Sequence, residues 1–315
     1  MSAGAFTLGR EGAGGEFLRQ GSRFRGWVTA DGSSGFPAAP GRYHLYVALA
    51  CPWSHRAVIV RRLKRLEDVV SISYLHPFRD ERGWAFTGDG FTDDVNGFAF
   101  LAEAYRATDP AYDDRVTVPV LWDKQGGGIV SNESADIIRM FNSAFDEWGD
   151  ASVDLYPEDL RAEIDELEAW IYADVNNGVY RAGFASTQEA YDRAYRALFD
   201  ALPKLDARLA ERRYLCGDRI TEADWRLFVT LVRFDAVYHV HFRCNGARIV
   251  DFPNLWGYTR DLYQQPGVDE TVAMDEIKRH YYTTHDMLNP KRIIPAGPEH
   301  LDFAAPHDRA RLGGG

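Results

Sequence analysis

The first sustained pattern in the chain is Tyr43-His44-Leu45-Tyr46-Val47-Ala48-Leu49, whose composition and alternation predict a strand. Cys51-Pro52 then opens a helix, because proline in a first turn lacks only an N–H that has no intrahelical partner there. Ala57, Val60, Leu63 and Lys64 continue at helical spacing, widened by Ile59 and Leu66. Residues 69–75 read as a second strand and residues 116–123 as a third, with Pro119 inside it arguing for an edge, a bulge or a cis bond. Gly126-Gly127-Gly128 turns the chain into a short fourth strand at Ile129-Val130. Ser131-Asn132-Glu133-Ser134 starts another helix, carried by Ile137, Ile138, Met140 and Phe141. Residues 79–114 hold Gly83, Trp84, Gly88, Gly90, Gly97 and many acids; they break the pattern and read as a functional loop or an insertion. The order strand, helix, strand, insertion, strand, strand, helix describes a small mixed sheet with helices packed on it.

From about residue 143 to 157 the chain is acidic and loop-like, which places a domain boundary there. Beyond it the period changes to that of helices. Leu160, Ile164, Leu167 and Ile171 form one stripe, and Tyr191, Tyr195, Leu198, Leu202, Leu205 and Leu209 another. Thr221 with Asp224, flanked by Ile220 and Trp225, is a capping box with a hydrophobic staple, a purely structural signal. The expected organisation is an irregular arm over residues 1–41, with Phe6, Phe17, Phe24 and Trp27 interspersed, a sheet domain over 42–145, and an all-helical domain over 155–315. Four prolines after residue 286 make the end of that domain an extended tail.

Composition narrows the function classes. The 315 residues carry a net charge of −11, and the basic residues are scattered, so no nucleic-acid footprint is present. The one basic run, Arg61-Arg62-Leu63-Lys64-Arg65, reads as the solvated face of a helix. Three widely spaced cysteines without a CxxC pair are neither a disulfide framework nor a zinc ribbon. No apolar run has the length of a signal sequence or a membrane span, and a reducing cytoplasm is the default compartment.

Cys51 is the candidate nucleophile. It follows a strand and precedes a helix, where the helix dipole and free N–H groups favour a thiolate; a small buried cysteine is the ordinary alternative. Cys216 and Cys244 lack that setting and read as structural. Ser54 stands where a second cysteine would allow an internal disulfide, so an adduct on Cys51 must be resolved by an external thiol, for which glutathione is the abundant candidate. Glu133-Ser134 opens another helix. Such a start can hold a carboxylate, with the Ser134 hydroxyl assisting and Glu133 accepting from an ammonium, which together suit a γ-glutamyl group; a plain capped helix is the alternative. Tyr180 lies in a polar break between helices, and Tyr281-Tyr282 follow His280; phenols can donate a proton or bond a thiolate, although most of the 16 tyrosines serve packing. His239 and His241 are two apart in a helical stretch with no third ligand, which does not make a metal site.

These features together resemble the glutathione transferase superfamily, and within it the glutathionyl-hydroquinone reductases, the Xi class. The resemblance runs from about residue 40 to 298. It is carried by Cys51-Pro52-Trp53-Ser54-His55-Arg56, Gly83-Trp84-Ala85-Phe86, Val118-Pro119-Val120-Leu121-Trp122-Asp123 and Ser131-Asn132-Glu133-Ser134, then by residues 176–185 around Tyr180, residues 234–238 and residues 277–282. It implies an α/β thioredoxin-like N-terminal domain, an all-α C-terminal domain and a homodimer. It implies that Cys51 attacks the sulfur of a glutathionylated aromatic substrate, leaving a mixed disulfide that a second glutathione resolves. Trp84, Arg115, Val118, Glu133 and Ser134 would hold glutathione, with Pro119 as a cis-proline. Tyr180 would handle the proton, with Tyr238 and Tyr281 supporting the thiolate. The competing readings are an Omega-like thioltransferase or dehydroascorbate reductase, and a non-catalytic interaction protein of the same fold, which loss of the cysteine would favour.

Overall fold

Four of the strand-forming segments assemble one sheet in a computed structural model that describes residues 9–313; Phe6 and the rest of the first eight residues lie outside the described residues, as do the last two glycines. The order across the sheet is Ser71–Tyr74, Tyr43–Val47, Val120–Asp123, Gly128–Ser131. The first pair is parallel and the other two antiparallel, with Leu45 opposite both Ile72 and Leu121. Every residue of Tyr43–Val47 is buried, as a strand covered on both faces must be. The helix Pro52–Leu63 lies against the helix Ser134–Ser143.

Residues 79–114, which read as a functional loop or an insertion, carry regular structure of their own. They contain the helix Leu101–Thr108, which packs on the Gly128–Ser131 strand. Its local signal is Glu103, whose carboxylate takes the N–H groups of Ala99 and Phe100. The glycines before it turn the chain: Gly83, Gly88, Gly90 and Gly97 all have positive φ.

The basic run also departs from expectation. Arg61 and Lys64 are buried, at 8% and 0% exposure. Arg61 donates to the carbonyls of Val70 and Glu67 at 2.7 and 3.0 Å, and the Lys64 ammonium bonds Asp146 at 2.7 Å and the Val153 carbonyl at 2.8 Å. A cation is tolerated inside only when paired in this way, and these two tie the end of the helix to loops on either side.

The arm is ordered where it is described. Arg10–Glu11 pairs with Phe17–Leu18, and Val28–Thr29 with Phe36–Pro37. Between them the backbone of residues 24–26 runs beside the outer strand: Gly26 N–H donates to the Val130 carbonyl at 2.8 Å and Asn132 N–H to the Phe24 carbonyl at 3.1 Å. A β-carbon on Gly26 would meet that carbonyl at 2.7 Å, so only glycine fits.

The described chain divides into two compact units. One comprises Gln20–Asp154 and Thr271–Asp286, so the helix Met274–Thr284 with Tyr281 belongs with the sheet. The other comprises Gly9–Arg19, Leu155–Glu270 and the chain from Met287 on. This second unit is built on Arg161–Ile171, Gln188–Glu211, Glu222–Arg233 and Pro253–Tyr263. The capping box forms: Asp224, fully buried, accepts from Thr221 N–H at 2.8 Å, Leu215 N–H at 2.9 Å and the Tyr258 hydroxyl at 2.8 Å. Among the described residues no helix is long and apolar enough to cross a membrane.

Candidate active site

Cys51 is the N-cap of Pro52–Leu63, with extended backbone angles and proline in the first turn. Its thiol is unbridged and half-buried. The strand that precedes it ends in a tight turn closed by Cys51 N–H to the Ala48 carbonyl at 2.9 Å. Ser54 is wholly buried, and its hydroxyl accepts from the Ala48 N–H at 3.3 Å. The position of a would-be second cysteine is thus occupied by a hydroxyl that braces the turn under the first. His55 is also buried, its Nε2 2.8 Å from the Thr271 hydroxyl.

Val118 faces the thiol. The Val118–Pro119 peptide is cis, and the Val118 carbonyl lies 3.9 Å from Cys51 Sγ. Among the described residues the Val118 N–H has no acceptor. Asn132 sets this segment in place. Its amide donates to the hydroxyls of Thr117 and Tyr105, each at 3.1 Å, and its carbonyl accepts from Phe24 N–H at 3.0 Å. Tyr105 in turn donates to the Thr117 carbonyl at 2.8 Å.

One residue on, Glu133 caps Ser134–Ser143. Its carboxylate accepts from Ala135 N–H at 3.1 Å and from the Ser22 hydroxyl at 2.8 Å. Each carboxylate oxygen keeps a further lone pair for a cation. Ser134 is 3% exposed, and among the described residues its hydroxyl makes no hydrogen bond. A hydroxyl left open beside a helix start is a ready partner for an anionic group. Arg115 is half-buried at the other end of the Val118 segment, its carbonyl taken by the Tyr112 hydroxyl at 2.6 Å.

Trp84 is held by two flat cationic or aromatic neighbours. The His280 imidazole stacks on it, centroids 5.0 Å apart at 16°, and the Arg79 guanidinium lies 4.9 Å from its ring centre. His280 is fixed by a 2.7 Å contact from Nδ1 to the Pro77 carbonyl. Tyr281, the next residue, is buried and meets the rings of His280 and His285 edge-on. In the helical unit, Tyr180 and Tyr238 share one aromatic cluster, centroids 6.0 Å apart, with Phe242 5.3 and 5.4 Å from them. Tyr180 is not in a break between helices. It sits inside the short helix Gly178–Gly183, which follows the π-helical turn Tyr172–Asn176. His239 and His241 are the first and last residues of a single helical turn, in which residues two apart point to different sides. Among the described residues no group of three metal-ligating side chains occurs.

The glutathione S-transferase N-terminal domain family matches residues 50–144, and the C-terminal domain family residues 188–261. Glutathionyl-hydroquinone reductase YqjG of Escherichia coli K12 is 52% identical over 306 residues, 94% of this chain and 93% of that one. Its glutathione-bound structure superposes with a TM-score of 0.89, covering 91% of this chain and 96% of that one. Glutathionyl-hydroquinone reductase PcpF of Sphingobium chlorophenolicum is 49% identical, covering 91% of each chain. The Xi class enzyme of Natrialba magadii is 53% identical with a TM-score of 0.90, over 92% of this chain and 89% of that one. The chain belongs to the Xi class of glutathione transferases, the glutathionyl-hydroquinone reductases.

The thioredoxin-like sheet and helical unit of this Xi-class protein are those its motifs imply. Within the sheet unit the fold brings together Cys51, Val118 and, through Asn132, Glu133 and Ser134. The supports were not legible from sequence. Ser22, Asn132, Arg79 and His280 each support the site, and three of them do so through residues far along the chain: Ser22 bonds Glu133 across 111 positions, Asn132 reaches back 108 to Phe24, and His280 stacks on Trp84. Only Asn132, inside the Ser131–Ser134 motif, and His280, inside the 277–282 motif, carried a local signal.

Proposed function

We propose that the protein reduces glutathionyl-hydroquinones to free hydroquinones, using glutathione as reductant. The Cys51 thiolate attacks the glutathionyl sulfur of the conjugate. The carbon–sulfur pair returns to the aromatic carbon, which takes a proton from Tyr180, and Cys51 is left in a mixed disulfide. A second glutathione thiolate attacks that disulfide, releasing oxidised glutathione and regenerating the Cys51 thiolate. The balance is one glutathione thiol and one aryl thioether of glutathione converted to one disulfide, with the carbon–sulfur bond of the conjugate replaced by carbon–hydrogen.

The observation that carries this reading is the half-exposed thiol of Cys51 above a buried Ser54, because a lone thiol must hand its adduct to an external thiol. In this reading the open Val118 N–H binds the cysteinyl part of glutathione, and Glu133 and the Ser134 hydroxyl take its γ-glutamyl end, with Trp84 and Arg115 completing the hold. Tyr238 and Tyr281 support the thiolate. The names of the E. coli and Sphingobium relatives favour the same substrate class. The active form is a cytoplasmic homodimer, and neither half-reaction calls for a metal.

The test is incubation with a glutathionylated hydroquinone and glutathione, following hydroquinone and oxidised glutathione together. They are expected in equal amounts. Turnover of a small glutathione disulfide with none of the aryl conjugate would overturn the reading in favour of an Omega-like thioltransferase.

A further inference from the structure

Arg19 lies in the described part of the arm, just after the Phe17–Leu18 strand, in the same compact unit as Tyr180. Its guanidinium carbon stands 4.7 Å from the centre of the Tyr180 ring and 5.4 Å from that of Phe17. Its Nε donates to the Asn177 side-chain carbonyl at 2.9 Å, and Asn177 is the residue that immediately precedes the helix bearing Tyr180. The hairpin that delivers it is anchored. Ser186 N–H donates to the Gly15 carbonyl at 3.1 Å, the Thr187 hydroxyl to the Gly14 carbonyl at 2.9 Å, and Arg193 pairs with Glu16 at 3.1 Å. The rings of Phe17, Phe184, Phe242 and Tyr238 also lie within 6.4 Å of the Tyr180 ring. Against that apolar surround Arg19 is a fixed cation on the face of the phenol.

We propose that Arg19 is a positioning residue for the reduction: it fixes the Tyr180 ring and stabilises the negative charge that grows on it as its hydroxyl gives up a proton. The inference rests on the role proposed for Tyr180. When the carbon–sulfur pair returns to the aryl carbon, the Tyr180 O–H proton goes to that carbon and the phenolate charge spreads into the ring, to be quenched by a proton from water. A cation over a π-face is attracted more strongly as that face becomes more negative, so the contact strengthens toward the transition state and acts on kcat rather than on binding. A clamp from Asn177 to the cation means the charge need not be brought in at the moment of reaction.

The experiment measures kcat and KM for a glutathionylated hydroquinone in Arg19→Met, Arg19→Lys, Tyr180→Phe and the Arg19→Met/Tyr180→Phe double variant, with melting temperatures alongside. Arg19→Met is expected to lower kcat about tenfold with KM little changed. Arg19→Lys, which keeps the charge, should recover much of that loss. In the Tyr180→Phe background the Arg19→Met change should cost nothing further, since the phenol it acts through is gone. An equal loss in both backgrounds, a loss confined to KM, or wild-type kcat in Arg19→Met would overturn the proposal while leaving the function of Tyr180 standing. Wild-type kcat in Tyr180→Phe would instead remove the proton-donor role itself. Were Arg19→Met to fold poorly, the same comparison with Arg19→Lys and its double variant decides, because only the planar stack and the Asn177 bond are then altered.

Discussion

The three thiols of the chain have two different fates, set by what surrounds each sulfur. Cys51 is half-buried at a helix start, whereas Cys216 and Cys244 are 7% and 0% exposed. Burial pushes the Cys216 thiol up to about 11, with the nearby Asp224 charge acting in the same direction, and burial pushes Cys244 higher still. At neutral pH neither presents a thiolate, which is the reactive form. Intact-mass analysis after brief alkylation of the native protein should therefore find a single label, on Cys51. Cys51→Ala should take up none and lose turnover, while Cys216→Ala and Cys244→Ala keep it. Two labels on the native chain, or turnover in Cys51→Ala, would contradict this assignment.

Elements are held by groups that close their ends. The Glu222–Arg233 helix begins on Thr221 and Asp224, and the Asp224 carboxylate also takes the Leu215 N–H and the Tyr258 hydroxyl. Removing it leaves several buried donors without a partner, at about 1–3 kcal/mol for each one that cannot reach water. Asp224→Ala should destabilise the protein by about 3 kcal/mol or more, read as a lower urea midpoint, with the activity of the folded fraction retained. A change under about 1 kcal/mol would show that the box is dispensable. The same logic explains why Lys64 is tolerated inside: its ammonium has a carboxylate and a carbonyl in place. A basic run on a helix thus says little about exposure until the loops that meet its last turn are known.

Two buried histidines, one in each unit, tie the stability of the whole molecule to pH. Burial pushes His44 down to about 4, and burial with the Arg243 charge does the same to His241. In the unfolded chain each titrates near ~6.5. Between those values the unfolded state binds protons that the folded state refuses, so acid favours unfolding. The stability from keeping these rings neutral is fully present above about 6.5 and is lost as the pH falls towards about 4. The melting temperature should fall across that window, and His44→Gln, which cannot take up the proton, should show a shallower fall than the wild type. Parallel slopes would mean that His44 takes up its proton as readily in the folded protein as in the unfolded chain.

Sequence alone determined whatever is decided within a few residues. The strand-to-helix step at Cys51, the capping box at Thr221, the Pro119 break and the heptad-like stripes of the helical half are local, because propensity, capping and periodicity act between near neighbours. The motifs were enough to name the family and to single out Cys51 as the candidate nucleophile. They missed the Leu101–Thr108 helix, whose start is local but is hidden behind a glycine-rich approach. Tertiary structure decided the remainder: the arm beside the Gly128–Ser131 strand, the burial of Lys64, the Arg79–Trp84–His280 stack, the Asn132 network behind Val118, and Arg19 over Tyr180. Each joins groups that lie far apart in the chain or a polar group whose burial depends on a distant partner. No local rule encodes such a pairing; it exists only once packing has fixed which polar groups lose water and which neighbours must replace it.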